Sequence, residues 1–254
     1  MTSRRFSSLG DHVSSSFQPQ PPAQSPGRVA VIGAGRLGTA LTRALRLSGC
    51  EGEGPLARGE LPSIRASVVL LCVPDREISA AARLVPSRLT VGHCSGASGL
   101  DVLGSHRGFS LHPLMTVPEG GDTDFSGVPC AVAGDSVGVT IATVLGMRPI
   151  SVADQDRPAY HAAACLASNF LVVLEEAAAQ LAATAGVDRT DLMPLVRATV
   201  ENWARLGPRA LTGPAVRGDT ATIATHRAVL VERAPELLAL YNVMLEVARN
   251  EGRA

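Results

Sequence analysis

The 254-residue sequence contains no lysine; all 23 of its basic residues are arginine. That excludes Schiff-base chemistry, the lysine of a nucleotide-binding P-loop and any lysine general acid. Only 3% of the chain is aromatic, too little for base-stacking platforms or aromatic sugar shelves. Its 23 basic residues are balanced by 23 acidic ones, so no electrostatic footprint points to nucleic acid or an anionic membrane. No apolar run approaches the roughly 20 residues of a bilayer-spanning helix. The five cysteines (Cys50, Cys72, Cys94, Cys130 and Cys165) are odd in number and never form a C-x-x-C pair. Their scatter argues against a zinc site or a disulfide framework and fits a reducing, cytoplasmic location. Cys72, inside V-V-L-L-C-V, reads as a small core residue.

What is present divides the chain into three parts. Residues 1–26 are rich in Ser, Gln and Pro and read as a disordered tail. Two arginines among the early serines are also compatible with an organellar transit peptide. From Arg28 the pattern changes. Val29–Ile32 is a short buried strand, and Leu37, Ala40, Leu41, Ala44, Leu45 and Ser48 then trace one face of a helix. Val68–Val73 is a second buried strand ending at Pro74, with Asp75 placed to cap a helix running to about Val85. Further strand-like runs are 89–93, 108–112, 130–133 and 148–152. Strands alternating with helices predict an α/β fold with a doubly wound parallel Rossmann sheet over 27–153. After about Asp154 the strand signals stop. Helices are predicted over 160–185, 188–206, 220–234 and 235–250, which gives an all-helical second domain over 154–254 and a cleft between the two.

Gly33-Ala-Gly35-Arg36-Leu37-Gly38 directly follows the first strand and directly opens the first helix, the context that gives a G-x-G-x-x-G string its meaning. Gly33 permits the tight turn, Gly35 lets the backbone approach a pyrophosphate, and Gly38 lets helix and strand pack closely. Exposed N–H groups and the helix dipole then favour phosphate. Arg36 and Leu37 lie inside the turn, and Val73 and Pro74 end the adjacent strand; all four join the glycines as candidate cofactor contacts. The next strand, within Cys50–Arg58, is Gly-rich and carries a proline, so it is expected to be a frayed or edge strand. Arg58 stands where an arginine would accept a ribose 2′-phosphate, pointing to NADP. Glu51 or Glu53 could face the ribose instead, as in NAD binding. The stretch between Gly38 and Val68 leaves little room for a second crossover helix.

Ligands of doubly wound sheets bind beyond the carboxyl ends of the strands, where His93, Ser95 and His112 fall. A histidine with a pKa near neutrality could protonate the group formed as hydride arrives; each could equally be a satisfied structural residue. His106 reads as a surface loop residue. In the helical part, Ser168 and Asn169 are candidate substrate contacts, with His161 about 12 Å from Asn169 along the helix axis. Arg217, in a loop with two glycines and a proline, is a candidate carboxylate clamp or one half of a structural pair with Asp219. Asp219 or Thr220 can cap the helix that follows.

Gly33–Gly38, S-L-H-P at 110–113, S-N-F at 168–170 and T-G-P-A-V-R-G-D-T at 212–220 together resemble Rossmann-like proteins of unassigned function labelled as NADP- or deazaflavin-dependent oxidoreductases. The resemblance covers nearly the whole chain beyond residue 27. The helical half is more distantly similar to pyrroline-5-carboxylate reductase, and His112-Pro113 is similar to the H-P motif of prephenate dehydrogenases, whose histidine contacts the reacting hydroxyl. These likenesses imply a 6-phosphogluconate-dehydrogenase-like helical domain and a homodimer with interlocked helices. Two departures stand out: the catalytic lysine of the β-hydroxyacid dehydrogenases is missing, and the second strand is degenerate. The expected function is NADP(H)-dependent hydride transfer on a small keto, hydroxy or imino acid, with His112 as proton donor, Ser95 beside the nicotinamide, and Arg217 with Asn169 holding the substrate. The alternatives are a deazaflavin coenzyme with NADP as hydride partner, and a non-catalytic dinucleotide-binding sensor or scaffold.

Overall fold

A computed structural model describes residues 25–57, 59–120 and 122–251. The tail predicted over 1–26 therefore lies almost wholly outside the described residues, as does Arg58. Seven strands form one sheet in the order β2-β1-β3-β4-β5-β6-β7: β1 (Val29–Ile32), β2 (Gly52–Leu56), β3 (Val68–Leu71), β4 (Thr90–His93), β5 (Gly108–Pro113), β6 (Pro129–Gly134) and β7 (Arg148–Ser151). Successive residues of β1 face opposite sides. Val29 and Val31 join the cluster under α1 (Arg36–Leu47) and α3 (Val137–Val144), while Ala30 and Ile32 join the one under α2 (Ile78–Leu84). This is why the strand reads as an unbroken apolar run: both faces are covered.

The expectation of a parallel sheet needs one correction. β1 to β5 are parallel, but β5 and β6 run antiparallel, with Pro113 opposite Cys130 and Phe109 opposite Gly134. A parallel return needs a crossover, usually a helix, and residues 114–128 contain none among those described. β2 is an edge strand, as its composition suggests, and the described residues between β2 and β3 contain no helix.

Phe109 is the keystone of the upper sheet. It is fully buried on β5, and Gly92 and Gly138 are glycines because a Cβ at either would enter its ring. Phe109→Ala is expected to destabilise the protein by about 3–5 kcal/mol, read as a lowered urea midpoint.

By compactness the chain divides at Cys165–Leu166, within α4 (Arg157–Ala167). The second unit holds α5 (Asn169–Ala183), α6 (Arg189–Leu206), the short α7 (Pro214–Arg217), α8 (Thr220–Arg233) and α9 (Leu238–Glu251). The single helix predicted over 160–185 is broken, because Ser168 leaves helical geometry (φ −123°, ψ −76°) and becomes the N-cap residue of α5. Asp188 and Asp191 form a reciprocal capping box at the start of α6, and Asp219 caps α8 by accepting from Thr222 N–H at 3.0 Å. The run Asp154–Ala183 also corrects the reading of the apolar runs, since its best window has a mean hydropathy of 1.5 and it is long and apolar enough to cross a membrane by length and composition. Its start is tied to the sheet: the Arg157 side chain is buried and donates to Ser110 Oγ of β5.

Candidate active site

The strands β1 to β5 are parallel, so their C-terminal ends share one edge of the sheet. The glycine turn lies there. Gly33 adopts φ +116°, and a Cβ on it would strike the Cys72 carbonyl; a Cβ on Gly38 would strike the Gly33 carbonyl. Gly35 has open space at the equivalent position and is exposed. It is the N-cap residue of α1, which has no side-chain cap and no acidic residue in its first turn. The first N–H groups of α1 therefore have no side chain competing for them. Beside the turn is a cavity of about 540 Å³ lined in part by Gly33, Gly35, Val73, Pro74, Glu60 and Leu61. An uncapped helix start, an open glycine and an adjoining cavity fit a dinucleotide phosphate and its nucleoside.

Four of the sequence candidates thus line the cavity. Leu37 instead packs against the core and Gly38 is buried. Arg36 is exposed, with no hydrogen-bond or ion-pair partner among the described residues. Neither acid suggested for the ribose is free. Arg28 Nε donates to Glu51 Oε2 at 2.7 Å, and Glu53 accepts from both the N–H and the hydroxyl of Ser63 at 2.7 Å. Glu60, which lines the cavity, accepts from Ala57 N–H at 2.7 Å.

His93 and Ser95 do not present themselves to a substrate. His93 is fully buried. Its Nδ1 accepts from Ser95 N–H at 3.2 Å, which leaves Nε2–H to donate to the Gly99 carbonyl at 3.1 Å. Burial holds its pKa below the ordinary value. Ser95 Oγ donates to Asp75 Oδ2 at 2.8 Å and accepts from Ala97 and Ser98 N–H at 3.2 and 2.9 Å. These two residues build the turn after β4. Asp75 serves that turn too, rather than capping the helix after it, which has no side-chain cap.

His112, near the end of β5, is different. Its Nδ1 lies 2.8 Å from the Tyr160 hydroxyl, and its ring stands edge-on to Tyr160 and His161, with centroids 5.5 and 6.3 Å away. The hydroxyl has no other partner among the described residues, so its proton is assigned to the bond with Nδ1 and His112 carries its own proton on Nε2. Nε2 has no hydrogen-bond partner among the described residues. A Cβ on Gly96 would lie 2.9 Å from both His112 Nε2 and His161 Nδ1, so two imidazole edges converge where the turn lacks a side chain. His161 Nδ1 is buried and has no partner among the described residues.

Burial, aided by His161 and Arg157, lowers the His112 pKa to about 4. The expected proton donor with a near-neutral pKa is therefore corrected: His112 is a neutral imidazole at pH 7, a hydrogen-bond donor rather than a standing acid. Burial also raises Tyr160 to about 12. Arg157 Nε donates to Asp154 Oδ1 at 2.9 Å, while its Nη1 is buried without a partner among the described residues. Sequence reasoning missed Tyr160, Gly96 and Arg157. The available signal was Tyr160 itself, one of two tyrosines in the chain, beside His161 at the start of the first helix after the last strand.

In the second unit, Asn169 is exposed and Ser168 is half-buried at the helix break. Arg217 is exposed and forms no salt bridge among the described residues, while Asp219 serves as the cap. His106 is not a free surface residue: its Nε2 lies 3.0 Å from the Ala82 carbonyl and its Nδ1 is buried.

Residues 128–247 match the family described as a domain of unknown function (DUF2520). Comparison with curated proteins finds no match. Among solved structures, a Bacteroides fragilis protein provisionally named an NADP oxidoreductase superposes with a TM-score of 0.75 at 20% identity, covering 88% of this chain and 98% of that one. A reductive aminase from Aspergillus terreus in complex with NADPH and ethyl-5-oxohexanoate gives 0.66 at 16%, covering 89% and 95%. Pyrroline carboxylate reductase from Plasmodium falciparum with NADP bound gives 0.55 at 12%, covering 89% and 98%. At these identities the shared property is the fold, a Rossmann-like sheet followed by helices, as the sequence resemblance implies.

Proposed function

We propose that the chain is an NADP(H)-dependent oxidoreductase that transfers hydride to or from a small keto, hydroxy or imino acid. The observation that carries this reading is the shared sheet edge, which holds both the open glycine turn with its cavity and the His112–Tyr160 pair. NADP or NADPH is present in two of the structural neighbours named above. The backbone of Gly33 and Gly35 would hold the pyrophosphate, Val73 and Pro74 would wall the cavity, and Arg36, the first residue of α1, is a candidate phosphate contact. The bound dinucleotide supplies or accepts the hydride.

The protein's own part is proton management. His112 Nε2–H donates to the oxygen or nitrogen of the reacting group and draws charge toward it. As that proton leaves Nε2, Nδ1 takes the proton of Tyr160, so no imidazolate forms; solvent then reprotonates Tyr160. A neutral imidazole suits this exchange, because it holds a proton at one nitrogen and a lone pair at the other. Arg217, Ser168 and Asn169 remain the candidates for binding the substrate, Arg217 by bidentate pairing with its carboxylate. The exposed apolar side chains of the helical unit, among them Phe170 at 53% and Trp203 at 63%, favour a homodimer, with light scattering of the purified protein expected to give twice the chain mass.

Calorimetric titration tests the cofactor. NADPH is expected to bind at micromolar strength or tighter, and NADH at least about tenfold more weakly, a gap of about 1.4 kcal/mol. Tighter binding of NADH would reassign the ribose to Glu60. No binding of either by folded protein overturns the reading and directs the search to a deazaflavin coenzyme.

A further inference from the structure

Between the dinucleotide cavity and the turn after β4 lies a pair of thiols that the proposed reaction does not use. Cys72 and Cys94 directly follow β3 and β4, and the pairing of Leu71 with His93 sets them side by side at the ends of neighbouring parallel strands. Their sulfurs are 3.6 Å apart. Neighbouring strands are spaced roughly 4.8 Å apart, within the Cα separation of roughly 4.4–6.8 Å that disulfides bridge. Closing the gap to a sulfur–sulfur bond is thus a matter of side-chain rotation and small backbone adjustment.

The two thiols are not equivalent. Cys72 is half-buried and lines the cavity, whereas Cys94 is buried behind it. The hydrogen bond to Cys72, together with burial, raises the Cys94 thiol well above its ordinary value. Either thiol can donate across this contact, and only Cys72 lines the cavity, the arrangement of a reachable nucleophile backed by a resolving thiol. Cys72 is also the residue on which the glycine turn rests. Its carbonyl is what a Cβ on Gly33 would strike, and its Cβ would lie 3.2 Å from one on Gly38.

We propose that Cys72 and Cys94 form a reversible disulfide by exchange with a low-molecular-weight disulfide, and that the oxidised protein binds the dinucleotide more weakly. The Cys72 thiolate attacks one sulfur of the oxidant and releases the other half as a thiol. Cys94 then loses its proton and attacks Cys72 Sγ, releasing the second thiol. Two protein thiols are oxidised to one disulfide, and one small disulfide is reduced to two thiols. Drawing Cys72 toward Cys94 shifts the wall and floor of the phosphate turn. The effect on binding rests on the dinucleotide reading above; the disulfide itself does not. By linkage, bound dinucleotide must disfavour the disulfide by the factor by which the disulfide weakens binding.

The test uses the full chain, reduced and then exposed to oxidised glutathione, with intact mass and peptide mapping. One internal Cys72–Cys94 crosslink is expected, lighter by two hydrogens and reversed by dithiothreitol. Cys94→Ser should retain one glutathione on Cys72, and Cys72→Ser should take up none at Cys94. NADPH should bind the oxidised protein at least tenfold more weakly than the reduced protein. Absence of the crosslink in folded protein overturns the proposal, and so does a crosslinked protein with unchanged NADPH affinity. If the reduced protein binds no NADPH, the coupling falls with the dinucleotide reading, while the mass measurement still decides the disulfide.

Discussion

His112→Ala is expected to lower turnover about 10²- to 10⁴-fold, the range for loss of a positioned proton-transfer group, while NADPH affinity changes by less than about twofold. The separation follows from position. His112 stands near the end of β5, bonded to Tyr160, and is not among the residues lining the cavity beside the glycine turn. Tyr160→Phe should cost less, because it removes the proton behind Nδ1 but leaves Nε2–H in place. The pH profile provides a second check. With the His112 pKa at about 4, rate should show no inflection near 6.5 and should fall only as acid approaches the lower value. Stability has the same sign. Between about 4 and 6.5 the unfolded chain binds the proton that folded His112 refuses, so stability rises with pH and is fully present above 6.5. The swing is on the order of 3 kcal/mol, and His112→Asn should flatten it in urea titrations run across that window.

Gly38→Val carries the second large effect. A Cβ there meets the carbonyl of Gly33, a backbone atom that no rotamer change can move aside. The turn must open or the helix must lift from β1. Destabilisation of about 3 kcal/mol or more is expected, together with loss of NADPH binding, although valine is the better helix former. Gly35→Ala is the contrast. Nothing lies within 4 Å of its added methyl, so the urea midpoint should hold within about 0.5 kcal/mol. The methyl would stand where the phosphate approaches, so affinity should still fall at least about tenfold. If Gly35→Ala bound NADPH normally, the turn would not be a phosphate site.

The sheet was legible wherever strands are covered on both faces, because Val29–Ile32 and Val68–Leu71 leave no polar position to confuse the pattern. The reversal at β6 was not legible. Direction is set by the connection, and the described residues of 114–128 supply no crossover helix. The break at Ser168 was hidden because one residue leaving helical geometry does not disturb an Ala- and Leu-rich run. His112 was singled out because it ends a strand, but strand ends do not tell which polar residue points outward. His93 and Ser95 spend their polar atoms on their own turn, and that accounting needs coordinates. The protonation state of His112 was misjudged for the same reason, since burial is a property of the neighbours. The cysteine pair escaped notice because Cys72 and Cys94 are related by strand register rather than by a short sequence spacing.

The reversal of β6 bears on how the chain could be cut into fragments. The family match starts at residue 128, just before β6, whereas the compact units part at Cys165–Leu166. The recurring stretch thus begins inside the sheet. Excised alone, 128–247 would carry β6 and β7 away with the side of β6 that faces β5 stripped of its ladder. It would present open N–H and carbonyl groups to any passing strand. The remaining piece, ending at β5, would expose the matching edge. The two halves, made as separate polypeptides, are each other's missing neighbour, and mixing them should restore through β5–β6 pairing what neither holds alone.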